Sequence, residues 1–258
     1  MDRPAARLTR FWLADRSHLI LLVCVATTIF ILGPLHQLEL LGHLAVGVAF
    51  ALLLLSGIAA TARSRAMAVF FSGVVLITQV VYWASALSAA PALHVPDLIA
   101  SFIATGLLAT ILLRQAFREG PVTHGRIFAA VNAYLLIGLM FALLYSAIGA
   151  LAPNAFSTAA TPPHVPLTVT SPFVYFSFVT LTTVGYGDIQ PIHPAARSLA
   201  TLEAVIGQLF PAVLLARLVS LELYYRQRRF EREQADLDRQ AVAREIARHL
   251  KSERQTGA

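Results

Sequence analysis

Lysine occurs once in the 258 residues, as Lys251, cysteine occurs once, as Cys24, and charged side chains of every kind make up only 13% of the chain. Soluble domains carry roughly 25% charged residues, so an ordinary water-facing globule is excluded. A lone cysteine closes no disulfide within the chain, and it leaves the redox compartment open. Because the remaining nineteen of the twenty basic side chains are Arg and alanine is abundant, the composition points to a high-GC bacterium and hence to a plasma membrane, the inner membrane of such a cell.

What the chain has instead is hydrophobic length, 57% of its residues. About twenty apolar residues at ~1.5 Å rise cross a ~30 Å hydrocarbon core. Six stretches qualify, near residues 17 to 35, 40 to 62, 67 to 89, 96 to 115, 127 to 151 and 198 to 222. The first is too long for a signal-peptide core and no small-x-small cleavage site follows it. A seventh apolar run, 172 to 183, has half the needed length and suits a re-entrant segment.

Arg and Lys gather on the cytoplasmic side of membranes. Here they fall in residues 3 to 16, at Arg63 and Arg65, at Arg114, Arg118 and Arg126, and throughout 226 to 254, which is every second connection plus both ends. Connections 34 to 43 and 88 to 97 have none, and the long segment 152 to 197 has only Arg197. Both termini are therefore expected in the cytoplasm, with 152 to 197 outside. The formal charge of +6 reports this orientation and not a nucleic-acid partner.

Residues 119 to 125, Glu-Gly-Pro-Val-Thr-His-Gly, form a breaker-rich hinge. They divide a cytoplasmic tail (1–16) and a four-helix peripheral domain (17–118) from a second module (119–225) and a charged C-terminal helix (226–258). Pro162, Pro163 and Pro166 make 152 to 171 an irregular outer loop. Ser171 and Pro172 then open a short helix running to about Thr182. Eleven residues of helix descend roughly 16 Å, and five extended residues climb about the same distance back.

That return segment reads Thr182-Thr183-Val184-Gly185-Tyr186-Gly187-Asp188. Irregular backbone at membrane depth is tolerated only inside protein or along a water-filled path. Glycine reaches positive φ cheaply, so Gly185 and Gly187 allow successive carbonyls to face one side and replace the water around a cation; the potassium-channel TVGYG loop is the type example.

On this motif the chain resembles the tetrameric potassium channels with a re-entrant pore loop; Pro191, Arg197 and Gly207 also fall where many relatives carry those residues. The resemblance covers about residues 127 to 222. It implies an all-α transmembrane subunit of six spanning helices with a re-entrant pore helix and extended filter, four copies closing one pore. Carbonyls of Thr183, Val184, Gly185 and Tyr186, with the Thr183 hydroxyl, would bind potassium as the permeant ion, and no other cofactor is implied. Thr182 would face the structure behind the filter, and Tyr186 argues for potassium over sodium. Where some relatives have an acid in the pore helix, this chain has Val179, so Asp188 needs another partner, for which Tyr175 is the candidate.

Glu203, an ionisable residue inside the last span, is expected to hydrogen-bond the structure supporting the filter. Gly207 is either a close-packing position or, with Pro211, a bending hinge, and Leu215 extends this candidate gate. Opening steeply with voltage takes about 3 to 4 gating charges per subunit, whereas residues 96 to 113 contain Asp97 and no Arg. Strong voltage gating is not expected. Only about 35 residues follow the last span, leaving no room for a ligand-sensing domain. No Gly or Pro occurs between Pro211 and Gly257, so the helix should continue into the cytoplasm. Leu223, Phe230 and Leu237 repeat every seven residues, but Arg244 breaks the series. The tail is then a four-helix stalk, a solvated helix, or an amphipathic helix whose Arg226, Arg228, Arg229 and Arg232 meet anionic lipid.

The expected protein is a passive potassium channel subunit and no enzyme. Its rivals are a non-conducting regulatory subunit and a potassium-transporter subunit; transporters of that kind usually carry four degenerate loops in one chain.

Overall fold

The computed structural model describes residues 17–32, 43–61, 65–88, 94–118, 120, 123–152, 154–158 and 172–256. The expectations for tail residues 1–16, for Arg63, for the prolines of the outer loop and for the Ser171 cap lie outside them. The chain divides into two units: the elements up to Ala212, and the helix from Val213 onward with Glu119–Val122. Each is described by itself.

In the first unit the elements run α1 (Ser17–Ile31), α2 (His43–Thr61), α3 (Arg65–Ser88), α4 (His94–Ala116), α5 (His124–Leu151), β1 (Phe156–Thr158), α6 (Pro172–Leu181), β2 (Ile189–Pro191) and the opening of α7 (Pro194–Thr256). Among the described residues, four helices are long and apolar enough to cross a membrane: Arg65–Ser85, Val95–Ala116, His124–Leu151 and Pro194–Gln240. The two further expected spans appear as shorter apolar helices, Ser17–Ile31 and Gly47–Thr61. The first of these ends in a wide π-helical turn, Thr28–Leu32, entered where the Thr28 hydroxyl donates to the Cys24 carbonyl at 2.8 Å.

Apolar helices in lipid gain little from hydrophobic burial against each other and associate through close van der Waals packing at small residues. A Cβ on Gly57 of α2 would stand 2.6 Å from the Leu108 side chain of α4, so the bare position makes room for that side chain between the two helices. Helix α1 reaches α5 and α6: the Asn132 amide donates to the His18 carbonyl at 3.0 Å, and the Phe30 and Phe178 rings lie 5.9 Å apart.

One departure from expectation concerns the second module. The stretch expected as irregular outer loop contains β1, which pairs antiparallel with β2 in the register Phe156↔Pro191, Ser157↔Gln190, Thr158↔Ile189. Among the described residues, otherwise all helical in their regular structure, this is one small ladder. An aromatic cluster underlies it, with Tyr145 of α5 against Phe176 at 4.9 Å and Phe156 at 5.8 Å.

In the second unit, α7 is continuous to Thr256, as the absence of breakers predicts. Leu215, Leu223, Phe230 and Leu237 are all exposed there. The basic cluster Arg226, Arg228, Arg229 and Arg232 is exposed too, with the Arg228 guanidinium 4.9 Å over the Tyr224 ring.

Near the start of α5, the Arg126 guanidinium donates to the Ala116 carbonyl at the end of α4, at 3.0 Å, and also to the Arg118 carbonyl. Charged hydrogen bonds to free helix-end carbonyls are worth about 1.5–3 kcal/mol. Arg126→Ala is expected to destabilise the chain by about that amount, read as a lowered thermal midpoint of the purified protein in detergent.

Candidate functional site

The short helix α6 places the TTVGYGD segment. Pro172 suits the first helical position because its missing N–H would be unpaired there anyway, and the helix stops at Leu181 where the backbone turns over. The Thr183 amide donates to the Thr180 carbonyl at 2.9 Å, and the amides of Val184 and Gly185 both donate to the Val179 carbonyl, at 2.9 and 3.3 Å. The Thr182 hydroxyl folds back on the Phe178 carbonyl at 2.6 Å. The start of the segment is therefore anchored by its N–H groups to the end of α6.

Its φ angles then alternate: Thr183, Gly185 and Gly187 are positive, at 61°, 60° and 79°, and Val184 and Tyr186 are not. Alternating handedness gathers successive N–H groups on one side of the chain and leaves the carbonyls on the other. Glycine takes such a φ without penalty. For β-branched Thr183 it costs on the order of 1–3 kcal/mol and persists only where the surroundings over-determine it. The hydrogen bonds on either side of Thr183 supply that constraint. The sequence pattern identifies the two glycines but not this third position.

Side chains hold the far end. Tyr186 stacks on Tyr175 with rings 6.5 Å apart and only 3° from parallel. Asp188 meets the Tyr175 hydroxyl, so these two candidate residues lie together at this end of the segment. The Gln190 amide donates to the Gly187 carbonyl at 3.0 Å, and Arg197 donates to the Pro191 carbonyl at 3.0 Å. Residues 182 to 188 are nonetheless exposed in the single chain, Tyr186 by 72% and Val184 by 52%.

Behind the segment, Glu203 of α7 is fully buried. Its carboxyl group meets the Tyr145 hydroxyl at 2.6 Å and the Ser177 hydroxyl at 2.5 Å, and Ser177 also reaches the Gly138 carbonyl at 2.6 Å. Glu203 is thus tied to α5 and α6 through partners, Tyr145 and Ser177, that come from 58 and 26 residues away and carry no local signal.

One turn further along α7, Gly207 lies on the end of α6. A Cβ there would sit 1.8 Å from the Leu181 carbonyl oxygen, which the Tyr134 hydroxyl approaches from the other side at 3.3 Å. Gly207 is therefore a position of close approach between α6 and α7. Pro211 lies inside the uninterrupted helix and is exposed, as is Leu215.

Gly207→Ala must push α6 away from α7, because backbone cannot yield 1.8 Å as a flexible side chain could. Overpacking of this kind costs about 1–3 kcal/mol or more. The substitution is expected to lower the thermal midpoint and speed proteolysis between α6 and α7, whereas Gly73→Ala, where nothing lies within 4 Å, leaves both unchanged.

A family model described as an ion channel matches residues 163–222, the span that contains α6, the TTVGYGD segment and the first half of α7. The two pore potassium channel c of Oryza sativa subsp. japonica is 38% identical over 106 residues, 41% of this chain and 20% of that protein. The inward rectifier potassium channel Kirbac3.1 of Paramagnetospirillum magnetotacticum is 41% identical over 80 residues, 31% of this chain and 24% of its own length. Protein LctB of Bacillus caldotenax is 32% identical over 129 residues, 44% of this chain and 91% of LctB. The chain thus spans a quarter or less of the two potassium channels but nearly all of LctB. No solved structure gives a significant match. With its long apolar helices and these matches, this multi-pass membrane protein belongs to the ion channel family and is a relative of its potassium channels.

Proposed function

We propose that the chain is one subunit of a potassium-selective channel that passes the ion passively through a pore made by four copies. The observation that carries this reading is the alternation of φ at Thr183, Gly185 and Gly187 within a TVGYG sequence, a backbone form that turns carbonyls one way as a dehydrated cation requires. Carbonyls of Thr183, Val184, Gly185 and Tyr186 and the Thr183 hydroxyl are the assigned potassium ligands, with Gly187 closing the segment.

One segment cannot surround an ion, and cyclic closure is the usual route to four copies. Exposure of the whole segment in the single chain supports this, as does the exposed row Leu202, Val205 and Leu209 on α7. The end of α6 at Leu181 and Thr182 carries the negative pole of its dipole and favours a cation beyond it. Asp188 acts as the outer-mouth cation attractor. Pro211, with Leu215, is assigned to an inner bend or gate. The Arg distribution supports cytoplasmic termini, a plasma-membrane setting and anionic lipid at Arg226, Arg228, Arg229 and Arg232. Helix α4 carries Asp97 in its first turn and Arg114 in its last and no ladder between, so strong voltage gating is not part of the proposal.

Potassium-driven flux into liposomes containing only this protein tests the reading. Selective flux over sodium is expected, blocked by barium and abolished by Gly185→Asp, since φ of +60° is strained for any side chain. Silence across voltage and pH, with the protein folded and assembled, would favour a non-conducting regulatory subunit instead.

A further inference from the structure

The contacts at Glu203 can be counted in protons. Three short oxygen pairs meet in a chain: Gly138 carbonyl to Ser177 hydroxyl at 2.6 Å, Ser177 hydroxyl to Glu203 Oε1 at 2.5 Å, and Glu203 Oε2 to Tyr145 hydroxyl at 2.6 Å. Each hydrogen bond needs one proton between its oxygens. A carbonyl has none to give, and each hydroxyl donates one. With an ionised Glu203, two protons must serve three contacts, and Ser177 is left against either a bare carbonyl or a bare carboxylate. Oxygens at these separations without a proton repel.

The surroundings offer an ionised carboxylate nothing else. Glu203 is completely buried, and among the described residues no Arg, Lys or His forms an ion pair with it. The one basic side chain on its own stretch of helix, Arg197, is turned outward to the Pro191 carbonyl. The titratable groups facing Glu203 are the phenols of α5, Tyr145 in contact and Tyr134 beyond it; α6 presents only the Ser177 hydroxyl. A buried, unpaired charge at membrane depth is costly, whereas a neutral acid costs little once it is hydrogen-bonded.

We infer that Glu203 is held as the neutral carboxylic acid, with its proton on Oε1 donated to Ser177, and that it is a positioning residue for the candidate filter. All three contacts are then satisfied at once: Ser177 donates to Gly138, Glu203 donates to Ser177, and Tyr145 donates to Glu203. The chain of bonds ties α7 to both α5 and α6, one turn away from the Gly207 contact and four residues before the Leu181 end of α6. Removing the proton leaves Ser177 able to serve Gly138 or Glu203 but not both, so α6 loses one of the two hydrogen bonds it makes through Ser177.

The assignment of the proton stands on the geometry alone, while its effect on conduction rests on the pore reading above. Two measurements on the full chain in lipid separate them. Infrared difference spectra between the protein and its Glu203→Gln variant should contain, at neutral pH, the carbonyl stretch of a protonated carboxylic acid; only carboxylate bands in that difference would overturn the inference whatever the flux. Glutamine reproduces the neutral acid, donating from its amide to Ser177 and accepting from Tyr145. Potassium flux of Glu203→Gln should stay near the parent's, whereas Glu203→Ala loses about tenfold or more, the scale of a buried hydrogen bond left unmade. Raising the pH until the acid band disappears should reduce parent flux and spare the Gln variant. An equal loss in both would overturn the positioning role. Absence of flux from every variant with the acid band present would count against the pore reading and leave the proton assignment standing.

Discussion

The carbonyl of Leu181 has no space above it. It ends α6, receives the Tyr134 hydroxyl on one side and faces the bare Cα of Gly207 on the other, and everything that follows in the chain is placed by that closure. The next residues cannot continue along the helix axis and turn back over it, which brings the Val184 and Gly185 amides onto the Val179 carbonyl. From there the backbone has its N–H groups committed to the helix. The carbonyls of the following residues are what remains to face outward.

Helix-to-helix contact through a glycine gives little energy by itself, so the approach must be held by something directional. Glu203 does this one turn earlier, reaching α5 through Tyr145 and α6 through Ser177. Tyr145 is also the centre of the aromatic cluster with Phe141, Phe156 and Phe176. Polar tie and apolar cluster thus share one side chain, and the ladder β1–β2 rests on the same cluster through Phe156 and Ile189. Packing near the TTVGYGD segment is a single connected body rather than a set of separate contacts.

The sequence was legible where one residue type has one physical use. Long uncharged runs marked the helices to within a few residues, as with 127 to 151 against His124–Leu151, and the half-length run ahead of Thr182 marked α6. Gly185 and Gly187 were readable because positive φ is a glycine property. Thr183 was not, since its strained φ is imposed by hydrogen bonds to Thr180 and Val179 and goes against its own preference. Strand β1 was hidden in a stretch of Pro, Ala and Thr because three residues carry no periodicity and its partner lies beyond the TTVGYGD segment. For Glu203 the depth in the helix announced a role, while Tyr145 and Ser177 became its partners only through the fold.

The ladder between Phe156–Thr158 and Ile189–Pro191 has a consequence for how this chain can vary over evolutionary time. It fixes the chain on the near side of residues 159 to 171, and α6 fixes it on the far side. Lengthening a segment between two fixed points costs only a slowly growing closure entropy, about 0.6 kcal/mol per doubling. A change of length between those two fixed points therefore need not move the TTVGYGD segment, whose own anchors lie on α6 and β2.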